Sequence, residues 1–311
     1  RTSDVAKSIV GLLSLHKSDF EAIEPFREDR FFKEALGLTK IPSSAWMRQR
    51  LDARGAELRE LTDELSLRLL ERTEAPITAH QGYVCCDIDT FVMDNSDTKK
   101  EDVSRTYQGV DGYTPIAAYL GNEGWSIGLE LRAGSQHTAF ETDYFLARVF
   151  PRIERLVPAD AKVLLRQDSG FDGAHLLFLQ AEEKARWTAM GRSFDFITKW
   201  NPRKQDKDAW VARTDAAGAF VEVRPGKRVG LLSLNVERAW RKQKRHFRLV
   251  VQVTERTIDK KGQRLLVPEI ELQGWWTSLD VPAQDVIDLY KHHGTHEQFH
   301  SEIKTDLDLE R

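Results

Sequence analysis

The sequence predicts an α/β protein: a mixed sheet flanked by helices, a helical region before it and a β-rich insertion within it. Three observations carry that expectation. Apolar residues recur at spacings of three and four up to about residue 80, which is the helical period. The pattern then shifts to short apolar runs parted by Gly-bearing turns, as strands require. Strands next alternate with helical patterns, and a group of strand-like runs precedes a last helical stretch.

Taken in order, "DVAKSIVGLLSLHK", "DRFFKEALGL" and "SSAWMRQRLDARGAELRELTDELSLRLLERT" read as helices, with Pro42 and Ser43 suited to a turn and an N-cap before the third. "YVCCDID" reads as a core strand, and "YTPIAAYLG" with "WSIGLELRAG" as a hairpin. "HTAFETDYFLARVFPRIERLV" reads as a helix interrupted at Pro151, "AKVLLRQDSG" as a strand ending in an acid, "GAHLLFLQAEEKA" as a helix and "RWTAMGR" as a strand. "WVARTDAAGAFVEVRP", "RVGLLSLNVERAW", "HFRLVVQVTER" and "RLLVPEIELQGWW" read as strands, and "HEQFHSEIKTDLDLER" as a helix continuing to the last residue. The expected divisions are 1–80, helical; 81–194, the first part of the core; 195–275, the β-rich insertion; and 276–311, the C-terminal helix of the core.

At 311 residues the chain can bury a large core, and 41% apolar with 31% charged residues excludes a disordered tail. A formal charge of -3 gives no whole-protein attraction for nucleic acid, so such binding needs local basic surface. "KWNPRKQDK" and "RKQKRHFR" supply it. Cys85 and Cys86 are adjacent in a strand, hence on opposite faces, and read as reduced core residues of a cytosolic protein. No secretory leader or membrane-spanning run is found. The chain opens on Arg1 and stops inside a helical pattern, which reads as trimming.

Asp87 and Asp89 raise the central question, because Asp forms strands poorly and costs several kcal/mol, roughly, when buried as an unpaired charge. A metal, a basic partner or water must compensate. If "CCDIDT" and "LLRQDSG" are parallel neighbours, Asp89 and Asp168 emerge together at the carboxyl edge of the sheet, where α/β proteins place their ligands. Two such carboxylates repel unless a cation lies between them, and Mg²⁺ or Mn²⁺ suits their oxygens. Asp87 is expected to point away from Asp89 and is kept as the alternative first acid. Asp172 is assigned to capping the following helix, and His137 to a loop or packing role. On the last helix, His293, Glu297 and Lys304 fall on one face and Glu302 on another.

These residues resemble those of bacterial insertion-sequence transposases of the DDE class, in the branch with a β-strand insertion before the final Glu. "DIDT" and "RQDSGF" resemble the first and second acid blocks, "YQGVDGYTPIAAYLG" and "RAGSQHT" a stretch between them, and Tyr290, His293, Glu297 and Lys304 the spacing of the third block. His293 stands where that pattern has Arg, whose bidentate fork on phosphate His cannot reproduce; Lys291 and His292 are candidates to share the role. The resemblance runs from about Tyr83 to the C-terminus, roughly three quarters of the chain.

The resemblance implies a ribonuclease-H-like core and a two-metal site of Asp89, Asp168 and Glu297 with two Mg²⁺ or Mn²⁺ ions. It implies cleavage of double-stranded DNA at terminal inverted repeats, joining of the freed 3'-hydroxyl to target DNA, and a homodimer on paired ends in the bacterial cytoplasm, associated with the nucleoid. Tyr290, Lys291, His293 and Lys304 would contact phosphate, as would Arg241, Lys242, Lys244 and Arg245 on a hairpin-like basic turn. Trp275 or Trp276 would stack an unpaired base, provided one faces outward. The N-terminal helices are candidates for DNA docking or for simple packing. Two competing readings stay open: another ribonuclease-H-like nuclease, and an inactive or domesticated DNA-binding descendant. A carbohydrate-active site fits less well, since basic neighbours of Glu297 suit phosphate better than sugar.

Overall fold

A computed structural model describes residues 1–259 and 261–306. The N-terminal helices are α1 (Thr2–Ser14), α2 (Arg30–Ala35) and α3 (Ser44–Arg72). They pack around Val5, Leu12, Ile23, Phe32, Ile41 and Met47. Ser43 caps α3 by accepting from the Trp46 amide at 3.2 Å, as its place after Pro42 predicts.

The sheet follows. Its strands are β1 (Tyr83–Thr90), β5 (Ile116–Leu120), β6 (Trp125–Glu130), β7 (Lys162–Gln167), β8 (Ser193–Lys199), β9 (Phe220–Arg224), β10 (Lys227–Trp240), β11 (Gln243–Ile258) and β12 (Arg264–Thr277). Strands β2 (Met93–Asp94), β3 (Ser104–Arg105) and β4 (Asp111–Tyr113) form a separate small sheet. The large sheet is nine-stranded in the order β6-β5-β1-β7-β8-β12-β11-β10-β9. Strands β1, β7 and β8 are parallel, and the others join antiparallel. This is a ribonuclease-H-like arrangement. The inserted strands prolong the same sheet, because Trp275–Thr277 of β12 pair with Ile197–Lys199 of β8.

The remaining α-helices are α4 (Thr142–Leu156), α5 (Ala174–Ala189), α6 (Lys207–Ala216), α7 (Ala283–Lys291) and α8 (His296–Ser301). Both faces of the sheet are covered. One face joins Cys86, Ile88, Leu165, Phe196 and Trp276 to α4 and α5, and the other joins Cys85, Leu164, Ile197 and Trp275 to α7.

Several local expectations need correction. α4 runs through Pro151, since burial of Phe145, Leu146, Val149, Phe150 and Ile153 outweighs the roughly 3 kcal/mol that an internal Pro costs. "RWTAMGR" is no strand: Gln180, Glu183 and Trp187 keep the buried helical period going to the end of α5. The first half of "WVARTDAAGAFVEVRP" is α6, started by the Asp206 carboxylate accepting from the Asp208 and Ala209 amides. The C-terminal helix is broken. A 3₁₀ turn at His292–Thr295 separates α7 from α8, and a π turn follows at Glu302–Asp306. A single face through His293, Glu297 and Lys304 therefore does not exist, and the reading beyond residue 306 lies outside the described residues.

Candidate active site

The β1–β7 register pairs Asp87 with Arg166 and Ile88 with Gln167, so Asp89 and Asp168 are the next facing positions. The acids stand at one carboxyl edge, as the sequence predicts. Residues two apart in a strand share a face, so Asp87 lies on the side of Asp89, one pleat deeper, and the expectation that it points away is corrected.

Asp87 is 3% exposed. Arg166 forks onto both its oxygens at 2.7 Å, and His293 Nδ1 lies 2.8 Å from Oδ1. Arg166 also donates to the Leu289 carbonyl at 2.8 Å, in the last turn of α7. Burial alone would raise the Asp87 carboxyl, but His293 and Arg166 hold it below the ordinary 3.8. A basic partner is thus what compensates this acid. His293, expected at a DNA phosphate, is itself 3% exposed and turned into the cluster.

Above the cluster lies a cleft of about 530 Å³, lined by Asp89, Asp168 and Glu297 together with Lys199, Gln252, Gln273, Trp275, Tyr290 and Lys291, among others. The insertion supplies one wall, through Gln252, Gln273 and Trp275. Asp89 Oδ1 accepts from the Thr90 amide at 2.7 Å, and its Oδ2 is 3.5 Å from His300 Nε2. His300 in turn meets the Tyr119 hydroxyl at 3.0 Å. Asp168 accepts from the Gly170 amide at 2.8 Å, which fixes the turn after β7. α8, which carries Glu297, is seated by Phe299: its ring lies 2.3 Å from where a Cβ on Gly124 would be, an approach only glycine permits at this φ of +71°. Burial first, then the charges of Asp168, Asp89 and Asp87, push the Tyr290 phenol far up. Burial, then Asp89, also raises the Tyr107 phenol on the small sheet's turn, and Asp168 adds to it.

The donor chemistry suits a hard divalent cation, with two carboxylates side by side and a third in the same cleft. Among the described residues, however, no three His, Cys, Asp or Glu side chains converge as ligands around one ion.

The other expected DNA contacts lie as follows. Tyr290 packs edge-on to Trp275, with ring centroids 6.2 Å apart. Lys291 borders the cleft and pairs with Asp288 at 2.6 Å, while the His292 ring packs against that of His80 at a tilt of 47°. Lys304 lies near the small sheet, where it helps Ser96 hold the Asp94 carboxyl down. Arg241 and Lys242 form the turn between β10 and β11. Lys244 pairs with Glu237, and Arg245 with Glu182. Trp275 and Trp276 point to opposite faces, yet both are buried at 2% and 1%, because each face is covered. Neither offers a stacking surface in this structure. Asp172 does not cap α5; it accepts from the Asn201 amide at 2.8 Å and Trp276 Nε1 at 3.0 Å. His137 accepts from the Ala139 amide within its loop, as a loop role requires.

Sequence reasoning missed Arg166, Lys199 and His300. Arg166 carried a signal, being an Arg inside an apolar strand facing an Asp inside another. Lys199 stands in the sequence only as part of the basic run "KWNPRKQDK", and His300 carried no signal, since their neighbours come from distant segments.

A ribonuclease-H-like sheet whose first and fourth strands deliver neighbouring acids to one cleft defines the class. Residues 5–311 match the family model "Transposase DDE domain group 1", and the chain belongs to that family. Among solved structures, the chain is similar to one in a cryo-EM structure of the piggyBac transposase synaptic complex with hairpin DNA, at 9% identity and a TM-score of 0.44. The match covers 98% of this chain and 59% of that one, so this chain spans well under two thirds of that protein. No curated protein matches.

Proposed function

We propose that this chain is a metal-dependent DNA transposase of the branch with a β-strand insertion before the third acid. It would cleave phosphodiesters at terminal inverted repeats and join the 3'-hydroxyl to target DNA, as a homodimer on paired ends. The observation that carries this reading is the register that sets Asp89 beside Asp168 in a cleft that Glu297 also lines. These acids would hold two Mg²⁺ or Mn²⁺ ions, and such ions, when bound, activate the attacking oxygen and stabilise the leaving one.

The chain's own residues supply the rest. Tyr290, with its phenol held up, stays neutral at working pH and can donate a hydrogen bond to a phosphate oxygen. Lys291 and the basic turn at Arg241 and Lys242 would position the backbone of the duplex without reading its sequence. His293 does not argue for a decayed enzyme, because its place in the ion cluster accounts for the residue found there.

The test is cleavage of a labelled duplex carrying the inverted repeat that flanks the gene, with Mg²⁺, Mn²⁺ or EDTA. Metal-dependent nicking at the repeat boundary, lost in Asp89→Asn, Asp168→Asn and Glu297→Gln but kept in Glu302→Gln, is the expected result. Binding without cleavage in every metal would refute the enzyme and favour the DNA-binding descendant.

A further inference from the structure

The acid row continues across the sheet. Gln167 pairs with Thr198, so Lys199 is the next residue beside Asp168, and Lys199 itself pairs with Trp275. Four neighbouring strands thus present Asp89, Asp168, Lys199 and Trp275 at one level of the cleft.

Lys199 is held in place. Its ammonium lies 4.8 Å from the Trp275 ring centroid and 5.3 Å from that of Tyr290, and donates to Gln273 Oε1 at 3.1 Å. A free lysine gives up about 2 kcal/mol of rotamer entropy when fixed in this way. Other lysines are answered by a carboxylate: Lys184 by Asp195, Lys244 by Glu237 and Lys291 by Asp288. Lys199 has none within salt-bridge distance among the described residues, and its one hydrogen bond goes to a neutral amide. An ammonium has three donors, so two remain for a ligand. Burial disfavours the charge, and only Glu271, farther off, supports it. The cation is therefore half-buried on an aromatic shelf, in a cleft it shares with Asp89, Asp168, Glu297 and Lys291, and has no carboxylate partner of its own among the described residues.

Resting on the transposase reading above, we infer that Lys199 grips a non-bridging oxygen of the DNA phosphodiester presented to Asp89 and Asp168. It supplies the positive charge that lets a polyanion approach two carboxylates, and the shelf spares it a search for its position.

The experiment compares wild type, Lys199→Met and Lys199→Arg on two inverted-repeat duplexes. One has the natural scissile phosphate, the other a single neutral methylphosphonate there. Affinity is read by fluorescence anisotropy in Ca²⁺, and folding by the thermal midpoint. Lys199→Met, which keeps the aliphatic stem, should bind the natural duplex about tenfold more weakly, as loss of a charged hydrogen bond implies. On the methylphosphonate duplex it should match wild type. Lys199→Arg should stay within about threefold on the natural duplex, because the charge is kept. Equal affinities of wild type and Lys199→Met for the natural duplex, or the same loss on both duplexes, would overturn the inference. If Lys199→Met does not fold, Lys199→Arg decides: a loss that is the same on both duplexes overturns the inference. Asp89→Asn cleaving like wild type would instead sink the active-site reading, whatever Lys199 does.

Discussion

Two of the arginine–carboxylate networks in this molecule differ mainly in access to water. Beneath the cleft, Arg166 and His293 enclose Asp87, and the ion-paired side chains are 3 to 4% exposed. Between α3 and α4, Arg155 forks onto Glu71 and meets Glu64, and Arg152 meets Asp63, with α4 pinned along the N-terminal helix. The second network has more partners, yet its Arg155, Glu64 and Glu71 are each more than a third exposed. Water and salt answer those charges nearly as well as protein does. The buried cluster has no such substitute. Removing one member strands the others, so its geometry is enforced although its net contribution to stability is small.

The largest expected effect tests that asymmetry directly. Arg166→Met should lower unfolding free energy by about 3–5 kcal/mol, read by urea denaturation, since Asp87 is left buried with His293 alone. A loss below about 1 kcal/mol would put the two networks on one footing. Replacing Asp87, Arg166 and His293 together by Leu, Met and Leu should recover most of that loss, because the desolvation cost disappears along with the pairing. Failure to recover would show that Arg166 matters chiefly as the cap on the Leu289 carbonyl.

Acid separates the networks next. Asp87 titrates below its unfolded value of 3.8, so its contribution is complete above about pH 4 and is lost as pH falls through the lower, folded value. Glu64 is pulled from 4.5 to about 2 by Arg155 and Arg68, so its contribution starts to fade as pH drops below 4.5 and is gone by about 2. An acid titration in low salt should therefore begin to lose the α3–α4 contribution first, in a shallow phase that weakens in about 1 M salt, where the Debye length is about 3 Å. The Asp87 phase should persist. The smallest effect is expected from Arg155→Ala, whose urea midpoint should be hard to tell from wild type.

The same contrast explains what was legible in the sequence. Strand runs and the acids ending them need only local pattern, whereas the parallel pairing of β1 with β7, only a condition at the level of sequence, is shown by the register. Asp87 was visible as an anomaly, but its partners are 79 and 206 residues away. "HHGT" held a cue to the helix break in Gly294, overridden by the charge periodicity on either side. Lys199 looked like one more base beside "WNPRK", since only the folded register brings Trp275 and Tyr290 beneath it. The burial of both tryptophans likewise depends on helices packed from two sides, which no alternation within "GWW" reports.

Cys85 and Cys86 turn this burial to practical account. They lie on opposite faces of β1, both buried, and burial lifts the Cys85 thiol to about 11 and pushes the Cys86 thiol well above the ordinary thiol range. Thiolate is the reactive form, so neither should compete for a maleimide at neutral pH. A cysteine introduced at the exposed turn residue Lys242 would then be the single fast-labelling group, and a fluorophore or crosslinker could be attached there without first deleting a native thiol.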